Sequence, residues 1–266
     1  DLRMLDKFNL SLTIISTGGF TTSNLILNEF DKIIISILFI LSSFNIFLIL
    51  GLLKINNTYN FHEDKYFIFS FILFFLIMVF FSSNVGFADI LVQLSSAISN
   101  SGINFTSDHN ENNIFILLFA SFFGGCLISS TSGFKISRIL IIFNKIYYEL
   151  VKLLTPSAVI NSTIFKSDEK IEFKDFYSCS LLLLLYILMF VAFSFVLTLE
   201  NISFDQSFLI SVLLTFNTLP STMYISDSVF FASFSDLTKI LTIIMLILSK
   251  VTPISLIAMI KYRFIK

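Results

Sequence analysis

The chain has 266 residues, of which 56% are hydrophobic and 13% charged, and its mean hydropathy is +0.90. Soluble domains carry about 25% charged residues, so this much apolar surface cannot be hidden in a water-soluble core, and lipid is the expected solvent. A net charge of −1 argues against a nucleic-acid surface; two cysteines in apolar stretches (Cys126, Cys179) and two histidines in separate loops (His62, His109) argue against a disulfide or a zinc site.

In chain order, Met4–Ile15 is the first apolar segment, about a dozen residues and so half the length that a bilayer requires. It ends at Ser16-Thr17-Gly18-Gly19-Phe20-Thr21-Thr22, a turn with the make-up of a re-entrant ion filter. Threonine supplies an oxygen there, and glycine lets backbone carbonyls turn towards an ion in place of its water. Ile33–Leu53 follows as a full span, in which Asn45 is expected to bond across helices rather than to bind an ion. Tyr66–Phe81 with its flanks is a second span.

Phe87–Ser99 repeats the half-length pattern and ends at Asn100-Ser101-Gly102-Ile103. Ile114–Ile128 is too short to span, runs into Ser129-Ser130-Thr131-Ser132-Gly133, and resumes as Ile136–Leu150. That pattern is one interrupted helix, tolerated at membrane depth only where protein or a water-filled cavity surrounds it. The segment 151–175 mixes charged and apolar residues as a cytoplasmic linker, and Phe176–Leu199 is the next span. Phe204–Phe216 is a third half-length segment, ending at Asn217-Thr218-Leu219-Pro220. Leu237–Ile260 closes the chain as a span that carries Lys250 and, three residues later, Pro253.

Each half-length segment has an acid near its start (Asp6, Asp89, Asp205) and points the negative end of its dipole at a turn, which suits a cation. Regions 82–113 and 200–236 contain no Lys or Arg, whereas 134–175 and the tail are rich in both. By the positive-inside rule the turns face outward and the C-terminus is cytoplasmic; Arg3, Lys7 and Lys32 are contrary but outnumbered. Lys250 lies about 20 Å along its helix from the outer end, too deep for easy snorkelling. It is expected to face the bundle interior beside the ion path, as a tether for loop carbonyls or a barrier to cations.

The chain resembles the membrane subunit of bacterial Trk-type potassium uptake systems, in the Trk/Ktr/HKT superfamily, over essentially its whole length. Ser16–Thr22 is similar to that family's second filter, Asn100–Ile103 to its third and Asn217–Ser221 to its fourth. Phe123-Gly124-Gly125-Cys126, with Ser129–Gly133, Lys135 and Arg138, is similar to the interrupted helix whose loop gates the path beneath the filter. The resemblance implies an all-α integral membrane fold of repeated span, half-helix, filter turn and span. About two and a half of four repeats would be present: 1–60 as the second, 61–150 as the third, a linker at 151–175, and 176–266 as the fourth. Because the chain starts at Asp1 without a Met or signal peptide, and the first repeat is missing, the N-terminus is expected to be incomplete.

Function follows as an expectation. K⁺ would cross a bacterial inner membrane through Thr17, Gly18, Gly19 and Phe20, Asn100, Ser101, Gly102 and Ile103, and Asn217, Thr218 and Leu219. Gly124, Gly125, Ser129, Ser130, Thr131, Ser132 and Gly133 would form the gate loop, and Lys250 would support the filter. The implied partners are lipid, a second copy as homodimer and a cytoplasmic nucleotide-binding regulator; no cofactor is expected, K⁺ being the transported ion. Leu219 stands where the family has a filter glycine, Ile103 where it has Phe, Ile128 and Thr131 where the gate loop has glycines, and Lys250 where it has Arg. Leu219 leaves Na⁺ open as the ion, and motivates the alternative of a non-conducting homologue acting as scaffold or regulator. An integral-membrane enzyme would need clustered His, Asp or Glu at membrane depth, and no such cluster is in the sequence.

Overall fold

The computed structural model describes residues 4–20, 27–52, 62–82, 85–105, 111–155, 173–200, 202–218, 220–221, 223–224 and 234–250. These form α1 (Met4–Ser16), α2 (Glu29–Ser43), α3 (Ile46–Leu52), α4 (His62–Phe81), α5 (Phe87–Ile98), α6 (Glu111–Phe123), α7 (Ile136–Leu154), α8 (Phe173–Thr198), α9 (Phe204–Thr215) and α10 (Asp236–Lys250). No strand occurs among the described residues. Filter position Leu219, Pro253, most of the linker 151–175 and the C-terminal part of the last span lie outside them.

Length sorts the helices into two kinds. α4 and α8, with 20 and 26 residues, are long and apolar enough to cross a bilayer. α1, α5 and α9 have 13, 12 and 12 residues, about 18–20 Å of helix, and stop halfway. Burial sets α4 and α8 apart from α5. α4 and α8 present Phe69, Leu76, Phe80, Leu184, Leu188 and Phe195 to the outside, as lipid-facing helices do. α5 is wrapped in protein: Ile90, Val92, Leu94, Ala97 and Ile98 are buried, together with Ser95 and Ser96. α5 packs between α2 and α6, and α9 packs between α8 and α10. One core joins Phe74, Met78, Leu94, Leu117, Phe193, Leu197, Ile210 and Leu213 across these units. A second, aromatic core stacks Phe122 on Phe134 (5.5 Å between centroids) and sets Phe122 edge-on to Phe216.

The span expected over Ile33–Leu53 is not one helix. It breaks at Phe44, whose backbone is extended (φ −71°, ψ 160°), and restarts at Ile46. The cause is tertiary. The Ser43 carbonyl accepts from the Cys126 N–H (2.9 Å), and the Ile46 N–H donates to the Ile128 carbonyl (2.9 Å). Two of the peptide groups freed by the break are therefore satisfied by the interrupted segment after α6, and pairing of this kind makes a break tolerable in apolar surroundings. Asn45 caps α3, its Oδ1 accepting from the Phe47 N–H (3.1 Å), while its Nδ2 reaches Glu63 on α4 (3.4 Å). It thus bonds across helices, as the sequence led one to expect.

Lys32, a contrary charge in the topology, forms an ion pair with Asp89 at the start of α5 (2.5 Å).

Candidate ion filter and interrupted-helix loop

The three half-helices end in the same way. Thr17, Asn100 and Asn217, within two residues of the helix ends, all have left-handed backbone (φ 52°, 60° and 56°). The following amide reaches back five residues each time: Gly18 N–H to Thr13 carbonyl (3.1 Å), Ser101 to Ser96 (3.1 Å) and Thr218 to Leu213 (2.9 Å). This is the Schellman type of helix stop. Two residues beyond the first left-handed position, Gly19 and Gly102 are left-handed again (φ 76° and 66°). A turn of this kind repeated three times in one chain is the mark of an internal structural repeat.

The tips lie close to one another. The Asn100 amide donates both to the Ser121 carbonyl (2.9 Å) and to the Thr218 hydroxyl (3.2 Å), joining the second tip to the third. Ile103 packs in one apolar cluster with Leu10 and Ile14 of α1, joining the second tip to the first half-helix. The side chains of the tips are largely engaged in these contacts. The Thr17 hydroxyl, buried, lies 2.7 Å from the Ser16 carbonyl and 3.3 Å from that of Ser130. Ser101 is bonded within its own tip, to Ser96 and Ser99. What such turns can offer an ion is therefore mainly backbone carbonyl oxygen.

The interruption between α6 and α7 is a compact loop, 124–135. Gly125 approaches so closely that a Cβ there would sit 2.5 Å from the Ser43 carbonyl oxygen, so no larger residue fits. The loop folds around Lys135, itself left-handed (φ 79°) and 7% exposed. Its Nζ donates to the Ser129 hydroxyl (3.0 Å), the Thr131 hydroxyl (3.2 Å) and the Thr131 carbonyl. Two acids at the start of α4 hold the loop from the other side: Glu63 accepts from the Leu127 N–H (2.6 Å), and Asp64 from the Asn45 N–H (3.3 Å) and the Cys126 thiol (3.3 Å). Sequence reading missed both acids, since they look like the ordinary acidic first turn of a helix; their place beside an apolar span was the one available signal.

Lys250, at the end of α10, joins the parts. Its Nζ donates to the Ser130 carbonyl (3.0 Å) in the loop and to the Thr17 hydroxyl (3.0 Å) and Ser16 carbonyl (3.3 Å) at the first tip. A largely apolar cavity of about 570 Å³ opens beside this junction, lined by Ile14, Ile15, Leu41, Phe44 and Ile128. Among the described residues no group of three or more His, Cys, Asp or Glu could hold a metal ion.

Half-length helices that each end in a carbonyl-bearing turn, packed with two bilayer-long apolar helices, define an all-α integral membrane fold of repeated units. No family model matches the chain. Its structure superimposes on the potassium transporter TrkH of Vibrio parahaemolyticus with a TM-score of 0.85, covering 98% of this chain and 59% of that one at 21% identity. It is also 29% identical over 172 residues to an uncharacterized cation transporter of Methanocaldococcus jannaschii, covering 63% of this chain and 36% of the relative. The chain thus spans about a third of that relative's length. The chain shares the fold of that potassium transporter, as the resemblance read from the sequence implies.

Proposed function

We propose that this chain is part of a membrane subunit of the Trk/Ktr/HKT superfamily, which takes up K⁺, with Na⁺ as the competing ion. The carrying observation is the thrice-repeated left-handed turn at Thr17, Asn100 and Asn217, each at the C-terminal end of a half-helix. Helix C-termini and unwound carbonyls favour a cation, and the membrane potential drives it inward by about 2.3 kcal/mol per charge per 100 mV. The backbone of Thr17–Phe20, Asn100–Ile103 and Asn217–Leu219 replaces ion hydration. Thr17 serves through its carbonyl, because its hydroxyl is engaged elsewhere, and Asn100 holds Ser121 and Thr218 through its amide nitrogen. The loop 124–135 gates the path and Lys250 tethers it; of the two roles open to that lysine, the contacts to Ser130 and Thr17 favour the tether.

The repeats run 1–60, 61–150 and 176–266 about the linker 151–175, and a further repeat completes the ring. The subunit sits in a bacterial inner membrane, turns outward and C-terminus inward, as a homodimer with a cytoplasmic nucleotide-binding regulator. The test is Gly19→Leu in the complete gene. It is expected to abolish K⁺-dependent growth of an uptake-deficient strain that the unmutated gene rescues. Growth unchanged by Gly19→Leu removes Gly19 from the filter, and failure of the unmutated gene to rescue favours the non-conducting homologue.

A further inference from the structure

Two of the three tips carry a second, side-chain closure. The Thr13 hydroxyl lies 2.8 Å from the Phe20 carbonyl oxygen, and the Ser96 hydroxyl 2.8 Å from that of Ile103. Both are contacts from residue i to residue i+7, at positions that coincide when the tips are aligned on their left-handed residues Thr17 and Asn100. Thr13 and Ser96 are the same residues whose carbonyls accept the tip amides of Gly18 and Ser101. Each tip is therefore closed twice onto one residue of its half-helix, first through the backbone and then through the hydroxyl. Both residues are buried, Ser96 completely, so water does not compete for the hydroxyl. The Ser96 hydroxyl also lies 3.1 Å from that of Ser101, from which it can accept while donating to Ile103. The Thr13 proton is shared with the Asn9 carbonyl, also at 2.8 Å.

The matching residue of the third tip is Leu213, which has no hydroxyl to give. This is the tip with leucine and proline in its turn, Leu219-Pro220, where the others have glycine followed by Phe20 or Ile103.

The geometry points to Thr13 and Ser96 as positioning residues that brace the filter, fixing the spacing of the carbonyls between helix and brace. The third tip lacks this brace. The inference rests on the filter reading above. Closing the segment at both ends limits how far its carbonyls can draw in, which is what separates a larger cation from a smaller one held by the same oxygens. Neither residue need touch the ion.

The test uses the complete gene in a strain without other K⁺ uptake, reading competition of Na⁺ against rubidium uptake at matched protein levels in the membrane. Thr13→Val, which keeps shape and removes the hydroxyl, is expected to shift the Na⁺ to Rb⁺ selectivity about fivefold, the equilibrium factor of one lost hydrogen bond. Thr13→Ser, which keeps the hydroxyl, is expected to stay within about twofold of wild type. Ser96→Ala reads the same contact in the second tip and decides the matter if Thr13→Val does not reach the membrane. Wild-type selectivity in both hydroxyl-free variants overturns the brace, as does equal impairment of Thr13→Ser and Thr13→Val, which would make packing the cause. If the brace fails while Gly19→Leu still abolishes uptake, the filter reading stands; if Gly19→Leu is also without effect, the filter reading itself has failed.

Discussion

Removing the charge of Lys250, as Lys250→Met, cuts three hydrogen bonds from one ammonium: to Ser130, Thr17 and Ser16. Not all of that is lost. The Thr17 hydroxyl can still donate to either the Ser16 or the Ser130 carbonyl, at 2.7 and 3.3 Å. The unreplaced part is the charged tie from α10 to the loop, and its nitrogen is exposed enough for solvent to weaken it. A hydrogen bond to a charged group contributes about 1.5–3 kcal/mol, so about 1–2 kcal/mol is a fair net value after that discount. That corresponds to about a five- to thirtyfold shift from the tethered to the released loop. If the tethered loop obstructs the path, maximal rubidium uptake by cells carrying Lys250→Met rises towards that factor while the half-saturation concentration, set at the filter, changes by less than about twofold. Lys250→Arg keeps the charge and is expected to retain near-wild-type uptake. A fall to background with the protein present in the membrane, or an unchanged maximal rate, refutes the tether.

Two further outcomes follow from contacts away from the tips. Asp64→Ala leaves the Asn45 N–H and the Cys126 thiol without their acceptor, at about 1–3 kcal/mol for an unsatisfied buried group; maleimide labelling of Cys126, buried in the wild type, is expected to accelerate at least about fivefold, and an unchanged rate would show that Asp64 does not hold the loop. At the far end of α8, hydrogen bonds from Ser235 and then Thr238 hold the Glu200 carboxyl below its ordinary value of 4.5. A lowered folded-state value means that its stabilisation is complete above that ordinary value and is lost as pH falls through the lowered one. Thermal stability of the wild type and Glu200→Gln should therefore differ at neutral pH and converge as pH falls below 4.5 through the lowered value, and a constant difference would contradict the assignment.

The half-helices were the legible part of the sequence. Their apolar runs stop at Ser, Thr, Asn and Gly, and the expected ends at Ile15, Ser99 and Phe216 fall within a residue of the observed Ser16, Ile98 and Thr215. The interruption after Phe123 and the restart at Ile136 were legible for the same reason, since glycines and hydroxyl residues fill the gap. The break at Phe44 was not. Ile33–Leu53 contains no proline and has its one glycine, Gly51, well past the break, so local propensity favours a continuous helix. The backbone groups of Cys126 and Ile128 override that preference, and a contact between segments some eighty positions apart leaves no local trace in either. Glu63 and Asp64 were hidden likewise, because burial is a property of the assembled fold. The i to i+7 ties of Thr13 and Ser96 carry no signal in the sequence, because hydroxyls are common in apolar helices.

The ladder between Ser43 and Cys126, and between Ile128 and Ile46, has a mechanical corollary. Were residues 124–135 to swing aside alone, two hydrogen bonds would break and leave four peptide groups bare in an oily setting, a penalty of several kcal/mol. A cheaper route is for α3 to ride along with them, which keeps the bond between Ile46 and Ile128 and breaks only that between Ser43 and Cys126. If the loop gates the path as proposed, its opening is a joint motion of two chain segments about the kink at Phe44.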